Sequence, residues 1–320
     1  MISLDDVRNA QQQATGVLRR TPLDPSPALG AQAGAELYLK LENLQVTGSF
    51  KPRGPVNRLL RLTEAERRQG VVAATAGNHG LGLAWAGRRL EVAVTVCLPR
   101  SADRGKIRRL QDHGADLRFV ESFKAAHELA LELAERDGLT FVSAYNDPDV
   151  IAADGVVGLE IMEDLPGADL VIVPAGGGGL VSGIGTAVKS LRPSASVWLV
   201  ESANSPTLST WFRAGEAGPV EIRDSIAEGL AGFVEPETRT WPIIRQRVDR
   251  AETVTEDELV GAMRWLVEYH GWIVEPSGAA AVALALRETA ALRGRRVAVV
   301  ISGGNVAWER FITLVEPAAG

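Results

Sequence analysis

Short apolar runs rich in β-branched residues alternate along this chain with longer stretches of helical periodicity. Continuous apolar runs, rather than strict apolar-polar alternation, are typical of parallel strands that are covered on both faces. The pattern therefore predicts an α/β fold with mostly parallel sheets, flanked by helices and joined by right-handed crossovers. A capping box of Thr255 and Glu258 also predicts a helix over Glu256–Tyr269. The predicted strands are Val71–Ala74, Val92–Leu98, Leu117–Val120, Thr140–Ser143, Leu170–Val173, Val197–Glu201 and Arg296–Ile301.

Length and charge narrow the class of protein. The 320 residues exceed one compact core, so we expect one large α/β unit or two lobes. A net charge of −6 provides no basic surface, so no nucleic-acid partner is expected. No apolar run approaches the roughly 20 residues of a membrane helix, and no export signal is evident. The single cysteine, Cys97, suits a reducing compartment and a buried position. We therefore expect a cytoplasmic protein without a membrane partner.

Four consecutive glycines, Gly176 to Gly179, follow a predicted strand and precede a helix over 181–191. Successive backbone N–H groups at such a turn converge, and the helix N-terminus adds partial positive charge. The alternative is a tight structural turn, for which one or two glycines would be enough. The segment does not have the Walker pattern GxxxxGK[ST]. It also lacks the dinucleotide fingerprint GxGxxG, because Val181 or Ser182 stands where that pattern has its last glycine. A phosphate monoester is therefore the favoured ligand.

Lys51 lies between Phe50 and Pro52 in the glycine-flanked segment TGSFKPRG. A lysine held rigidly and partly desolvated has a lowered pKa, which both imine formation and proton abstraction require. An ordinary surface loop explains this segment better if it is taken alone. The lysine becomes a candidate catalytic residue only in combination with the other motifs.

Two further loops follow predicted strands. The segment Thr75–Gly80 offers backbone amides suited to a carboxylate, and Asn78 is able to hydrogen-bond a ring hydroxyl. His79 is equally compatible with a packing residue at the start of a helix. The segment Ser302–Asn305 follows the last strand, at the sheet edge where ligands of open parallel sheets bind. The Ser302 hydroxyl can hydrogen-bond a ring nitrogen there.

These four motifs, in this order, resemble the fold-type II family of pyridoxal-phosphate (PLP) enzymes, especially the threonine/serine ammonia-lyases (dehydratases) and serine racemases. The resemblance extends from Arg20–Leu23 and Leu39–Asn43 to Glu275–Gly278 and SGGN. It implies pyridoxal 5'-phosphate as cofactor, an amino acid as substrate and a homodimer. It also implies a large PLP-binding domain of residues 1–51 and 150–320, with a small inserted α/β domain of residues 52–149.

The resemblance implies Lys51 as the catalytic residue, bound to the cofactor as a Schiff base. Asn78 would bind the ring hydroxyl, Ser302 would face the pyridine nitrogen and Glu275 would orient the site. The implied cofactor-binding residues are Phe50, Lys51, Asn78, Gly176, Gly177, Gly178, Gly179, Leu180, Glu275 and Ser302. The implied substrate-binding residues are Ser49, Thr75, Ala76, Gly77, Asn78 and His79.

The implied reaction is β-elimination from a β-hydroxy amino acid such as L-threonine or L-serine, which yields a 2-oxo acid and ammonia. A serine at the ring nitrogen stabilises a carbanion less than a carboxylate does, so expulsion of a β-leaving group is favoured. Serine racemases carry a second base, a serine, where this chain has Ala76. His79 is the alternative second base if racemisation occurs, because an imidazole can titrate near neutral pH.

Departures from the family pattern leave the substrate and the reaction type open. Relatives often read GNHGQ and GQGT where this chain has Leu81 and Ala153–Val156. The substrate is therefore open to threo-3-hydroxyaspartate or phenylserine. An amino-acid racemase and a β-replacement synthase are further alternatives, although sulfhydrylases and threonine synthases typically read GNT in place of GNH. In a different class, the same scaffold would serve as a non-catalytic ligand-binding protein.

No metal site is predicted. The four histidines lie far apart and show no zinc-ligand spacing. Cation-binding relatives place an Asp six residues after a glutamate at a strand end. This chain has Glu201 but Thr207 at the later position, so the resemblance does not carry over a metal site, and whether a divalent cation binds is left open.

Overall fold

The computed structural model describes residues 1–232, 234–235 and 237–316, and these residues form two sheets. The strands are β1 (Leu23–Pro25), β2 (Glu36–Leu41), β3 (Val71–Ala74), β4 (Val94–Pro99), β5 (Asp116–Val120), β6 (Thr140–Phe141), β7 (Leu170–Pro174), β8 (Ser196–Ser202), β9 (Arg250–Val254) and β10 (Arg296–Ile301). The larger sheet has the order β1-β2-β10-β7-β8-β9 and the smaller sheet the order β5-β4-β3-β6. Among the strand pairs of the described residues, only β1–β2 is antiparallel. The predicted fold class is therefore confirmed.

Helices cover the faces of both sheets. They are α1 (Leu4–Ala14), α2 (Pro27–Ala33), α3 (Arg53–Leu60), α4 (Glu64–Gln69), α5 (Asn78–Leu90), α6 (Arg104–Asp112), α7 (Phe123–Asp137), α8 (Pro148–Asp154), α9 (Val156–Asp164), α10 (Gly179–Leu191), α11 (Thr207–Ala214), α12 (Thr240–Arg247), α13 (Glu256–His270), α14 (Pro276–Arg287), α15 (Thr289–Leu292) and α16 (Trp308–Val315). A short 3₁₀ helix spans Glu42–Leu44. In the part of the chain that the structure describes, no helix has the length and apolarity to cross a membrane.

All seven predicted strands form, with ends that differ by up to two residues. Helix α13 begins at Glu256 as predicted, with both capping-box hydrogen bonds present, and ends one residue later than expected. The sequence reading missed β1, β2 and β9. Polar residues interrupt the apolar pattern in these strands, as Lys40 does in β2 and Glu252 in β9. A charged residue inside a short strand removes the pattern on which the prediction depends.

The core explains why the central strands read as continuous apolar runs. In β7, Leu170 and Ile172 pack into an apolar cluster with α13 and α14 on one face of the sheet. Val171 and Val173 belong to the cluster on the other face, with α9 and α10. Each strand residue is thus buried whichever way it points. Cys97 lies, as predicted, in a buried position of the smaller sheet and forms no disulfide.

The carboxyl ends of strands from both sheets face one region. The loop after β3 begins with Thr75, the loop after β7 contains the four glycines, and Ser302 follows β10. Helices α5 and α10 start directly from the first two loops, at Asn78 and Gly179. The larger sheet draws on chain segments 23–41 and 170–301, and the smaller sheet on segment 71–141. The domain boundaries at 51/52 and 149/150 stay a prediction.

Candidate active site

One cavity of about 650 Å³ brings all four sequence motifs together. The predicted site residues in its wall are Phe50, Lys51, Thr75, Ala76, Gly77, Asn78, His79, Gly176, Gly177, Gly178, Gly179, Leu180, Glu275 and Ser302. Ser49 is the exception. It is completely buried beside Gly303, forms a backbone bridge with that residue and does not line the cavity. The structure thus places every predicted site residue except Ser49 at the cavity wall.

The Lys51 amine is held in a desolvated position. Its Nζ donates a hydrogen bond to the carbonyl oxygen of Ala144 at 2.9 Å and lies 4.7 Å from the centre of the Phe50 ring. Removal of water lowers the pKa of Lys51, and the negative charges of Asp154 and Glu275 oppose this shift. A lowered pKa makes the neutral amine more accessible than it is in an ordinary lysine. The neutral amine is the form that attacks a carbonyl carbon or accepts a proton.

A buried network of four charged side chains fixes the segment that carries Lys51. The guanidinium of Arg53 donates to Glu42 at 2.8 and 2.8 Å and to Glu160 at 2.9 and 3.0 Å. Lys40 Nζ donates to Glu160 at 2.5 Å. All four side chains are at least 96% buried, and their formal charges sum to zero. This network explains the LKLEN and KPRG segments, because the first contributes Lys40 and Glu42 and the second contributes Arg53 to the buried ion pairs.

The glycine loop after β7 has the conformation of an anion cradle. Gly178 has a φ of +86°, which favours glycine, and α10 begins at the next residue. No acceptor among the residues described takes a hydrogen bond from the backbone N–H of Gly176, Gly177 or Gly178. A Cβ on Gly177 would overlap the ring of Tyr145, which packs over the loop. Free amides at a helix N-terminus are the donors that a phosphate requires.

Asn78 belongs to a hydrogen-bonded chain across the cavity. Its Nδ2 donates to Glu275 Oε1 at 2.6 Å, and its Oδ1 accepts from Asn305 Nδ2 at 2.8 Å. Asn305 Oδ1 in turn accepts from Arg109 at 2.9 Å. Burial raises the pKa of Glu275 to about 7. These contacts fix the orientation of the Asn78 amide, and Asn305 joins the wall of the cavity as a residue to which the sequence analysis had given no role.

His79 is a neutral packing residue. Its Nε2 donates to the carbonyl oxygen of Val142 at 2.9 Å, whereas its buried Nδ1 has no hydrogen-bond partner within the described part of the chain. Burial lowers the pKa of His79 to about 3. The expectation that this imidazole titrates near neutral pH is therefore wrong, because the apolar surroundings disfavour its charged form. The hydrogen bond of His79 to Val142 ties the loop after β3 to the segment that follows β6.

The mouth of the cavity carries charges that the sequence reading missed. Lys106 and Arg109, on α6, both line the wall. Lys106 forms an ion pair with Glu228, which also pairs with Arg310 of α16. Neither Lys106 nor Arg109 was among the predicted site residues. No local signal indicates that α6 faces the cavity, because its orientation depends on the packing of the smaller sheet.

Glu201 has a structural role. Its carboxylate accepts hydrogen bonds from the backbone N–H groups of Leu208 at 3.0 Å and Ser209 at 2.6 Å. It therefore satisfies free donors at the start of α11. Over the described ranges, no group of three or more His, Cys, Asp or Glu side chains is arranged to hold a metal ion.

A desolvated lysine beside a phosphate-type cradle defines an enzyme that binds a small phosphorylated cofactor. A family model described as "Pyridoxal-phosphate dependent enzyme" matches residues 14–303, and the chain belongs to this family.

Similar proteins agree with this assignment. The chain is 42% identical to an L-threonine ammonia-lyase of Thermotoga maritima, over 96% of this chain and 76% of the relative. It is 35% identical to an L-threo-3-hydroxyaspartate ammonia-lyase of a Pseudomonas species, over 98% of each protein. The structure of maize serine racemase superposes with a TM-score of 0.92 at 29% identity and covers 97% of this chain and 96% of the racemase. The predicted fold-type II family and the predicted class, a PLP-dependent ammonia-lyase, are confirmed.

The cavity fits pyridoxal phosphate. The free amides of the glycine loop suit its phosphate, and the Lys51 amine suits its aldehyde carbon. The Ser302 hydroxyl, 3.4 Å from the carbonyl oxygen of Ser277, lines the same wall and suits the ring nitrogen. Asn78 provides an amide for the ring hydroxyl. The donors and acceptors of the wall thus match the polar groups of the cofactor.

Proposed function

We propose that this enzyme converts L-threonine, and L-serine as a second substrate, into the corresponding 2-oxo acid and ammonia. The similarity to the L-threonine ammonia-lyase of Thermotoga maritima carries this proposal. Ala76 supports it, because the position where racemases carry a serine has neither a hydroxyl nor an ionisable group. The neutral His79 supports it as well, since its lowered pKa leaves no imidazolium proton to donate near pH 7, and its one N–H is bound to the carbonyl of Val142.

Lys51 is the proposed base. When bound, pyridoxal phosphate supplies the electron sink that makes the Cα–H bond acidic. The desolvated Lys51 Nζ takes the Cα proton, and the carbonyl of Ala144 orients the nitrogen. The Cβ–O bond then breaks, and the hydroxide leaves with one proton as water. The released enamine adds water and separates into the 2-oxo acid and ammonia.

The remaining wall residues position the reactants. The amides of Gly176 to Gly179 would bind the cofactor phosphate, and Ser302 would bind the ring nitrogen. The loop Thr75–His79, at the N-terminus of α5, would bind the substrate carboxylate through its backbone amides. Asn78, oriented by Glu275 and Asn305, would bind the ring hydroxyl.

The test is the release of ammonia and 2-oxo acid from threonine, serine, threo-3-hydroxyaspartate and phenylserine by the purified enzyme. Threonine should give the highest kcat/KM. Lys51→Ala should reduce turnover by several orders of magnitude and abolish the cofactor adduct after borohydride reduction. Lys189→Ala is the matched control, because Lys189 pairs with Asp249 at 2.8 Å away from the cavity. Normal turnover in Lys51→Ala would refute the assignment.

A second candidate substrate is threo-3-hydroxyaspartate, on which the Pseudomonas relative acts by name. The cations of Lys106 and Arg109 in the cavity wall favour it, since either is able to pair with a β-carboxylate. Arg109→Met should then lower kcat/KM for hydroxyaspartate by about tenfold or more. The same variant should leave kcat/KM for threonine within a factor of about two. An equal loss for both substrates would show that Arg109 does not select between them.

We further propose that the enzyme is a homodimer of the cytoplasm, with domains of residues 1–51 plus 150–320 and 52–149. The exposed side chains of Trp308 and Ile273 offer apolar surface that such an interface would bury. The buried thiol of Cys97 is compatible with a reducing compartment. Light scattering of the purified protein and fractionation of the source cells test these two statements. A monomeric mass would refute the dimer.

A further inference from the structure

Asp154, the last residue of α8, is a buried carboxylate without an assigned role. It stands where the resemblance expects the glutamine of GQGT. The residue is 1% exposed, and neither carboxyl oxygen has a hydrogen-bond partner in the described portion of the chain. A buried carboxylate without hydrogen bonds is costly, because desolvation disfavours its charged form. Such a group persists where a nearby positive charge or a function compensates it.

Asp154 lies behind the glycine loop, close to the segment that holds Lys51. Its Oδ2 is 3.2 Å from the place that a Cβ on Gly179 would occupy. The Cα of Tyr145 is 3.1 Å from the same place. Tyr145 directly follows Ala144, the residue whose carbonyl accepts the hydrogen bond of Lys51. The carboxylate of Asp154 and the amine of Lys51 therefore both lie next to the short segment Ala144–Tyr145.

The charges that face Asp154 single out Lys51. Three charged groups act on Asp154, namely the cations of Lys51 and Arg53 and the anion of Glu42. Arg53 already has four hydrogen bonds to Glu42 and Glu160, so its charge is compensated. Lys51 donates only to a neutral carbonyl. Burial raises the pKa of Asp154 to about 7 and lowers that of Lys51, and each charge partly opposes the shift of the other.

Lys51 has two other charged or titratable neighbours. Glu275 also acts on the amine, but its Oε1 accepts from Asn78 at 2.6 Å. His79 is neutral because its pKa is lowered to about 3. Asp154 is thus the neighbouring carboxylate of Lys51 that has no other partner within the described residues.

We propose that Asp154 is a positioning residue that stabilises the cationic form of the Lys51 nitrogen from behind the glycine loop. The proposal rests on Lys51 as the attachment point of the cofactor and is independent of which amino acid is the substrate. An opposite charge at short range favours the protonated nitrogen, typically by one to three pH units. In relatives with an uncharged glutamine there, this nitrogen would lose its proton at lower pH.

The test compares the holoenzymes of the wild type, Asp154→Asn and Asp154→Gln. Asparagine keeps the shape of the side chain and removes its charge, and glutamine is the residue of the GQGT pattern. The visible absorbance of the bound cofactor is recorded between pH 6 and 10, since this band reports the protonation of the nitrogen. The midpoint of the transition should fall by about one pH unit in both variants. The proposal is equally supported if the nitrogen of the wild type stays protonated up to pH 10 while the nitrogen of both variants loses its proton below pH 10.

Glu201→Gln is the matched control. Burial also raises the pKa of Glu201 to about 7, but this carboxylate binds the start of α11 and does not act on Lys51. The absorbance band of the Glu201→Gln holoenzyme should titrate as in the wild type. Identical titrations in the wild type and both Asp154 variants would overturn the role of Asp154. A wild type without any visible band would instead refute the cofactor site itself, so the two failures are distinguishable.

Discussion

Replacement of Arg53 by methionine tests the buried charge network that fixes the catalytic loop. The change removes one cation and four hydrogen bonds, and it leaves Glu42 and Glu160 with Lys40 as the only cation of the network. Removal of one partner from a buried ion pair costs about 3–5 kcal/mol, because a desolvated charge is left uncompensated. Domains have a total stability of only about 5–15 kcal/mol. We therefore expect Arg53→Met to lose a large fraction of its free energy of unfolding.

The loss should depend on pH. In the wild type, the charge and hydrogen bonds of Arg53 hold the pKa of Glu42 below its usual value despite burial, so this carboxylate contributes stability that is lost as pH falls. In Arg53→Met, one buried carboxyl group should have a raised pKa and take up a proton on folding. The stability of the variant should then fall as pH rises from about 5 to 8. The destabilisation relative to the wild type should be smaller at pH 5 than at pH 8.

Urea titrations followed by circular dichroism measure both effects. Arg61→Met is the matched control, because Arg61 directly follows α3 and pairs with Asp149 at 3.0 Å in a partly exposed position. Exposed pairs contribute about 0–1 kcal/mol, so this variant should differ little from the wild type. A loss below about 1 kcal/mol in Arg53→Met, or an equal loss in both variants, would refute the reasoning.

Three further outcomes are expected. Gly178→Val should raise the dissociation constant of PLP at least about fivefold, because φ at this residue is +86° and the new Cβ would lie 2.7 Å from Ile244 Cδ1. The backbone strain is about 1–2 kcal/mol. Equilibrium dialysis measures the dissociation constant, and Gly261→Ala is the control, because a Cβ at Gly261 meets open space. Ala76→Ser should slow elimination and introduce racemisation of serine, which chiral chromatography of recovered substrate detects; a wild type that racemises faster than it eliminates would contradict the lyase reading. His79→Gln should leave the shape of the pH profile of kcat/KM unchanged between pH 6 and 8, because the pKa of His79 is about 3. Loss of an inflection near pH 6.5 in this variant would show that His79 titrates in the wild type.

Much of the site was predictable because parallel strands end at a common edge. Once the strands before Gly176 and Ser302 were predicted as parallel strands of one sheet, their loops were expected at the same edge. The loop that begins with Thr75 follows a strand of the smaller sheet, so its place in the same cavity depends on how the two sheets pack. The motif of Lys51 does not follow a predicted strand end, so only the resemblance connected it with the others. The anion cradle was readable from local chemistry, since four glycines before a helix leave free amides.

The remainder depends on packing between distant segments. The burial of Lys40 and Glu160 was not predictable, because a charged residue in a strand or helix reads as exposed until its partners are known. A side chain at position 177 would clash with the aromatic ring of Tyr145, which lies about thirty residues earlier in the chain. The sequence around Gly177 therefore does not reveal this clash. The low pKa of His79 likewise follows from its tertiary surroundings, which no local pattern reveals.

The two sheets contribute different parts of the cavity wall. The glycine loop and Ser302 come from the larger sheet, whereas the loop Thr75–His79 and the cations of α6 belong to the part of the chain that forms the smaller sheet. In the proposed function, the second part would bind the substrate carboxylate and, through Asn78, the ring hydroxyl of the cofactor. Substitutions there at positions other than Asn78 are therefore expected to change substrate selection more than cofactor affinity.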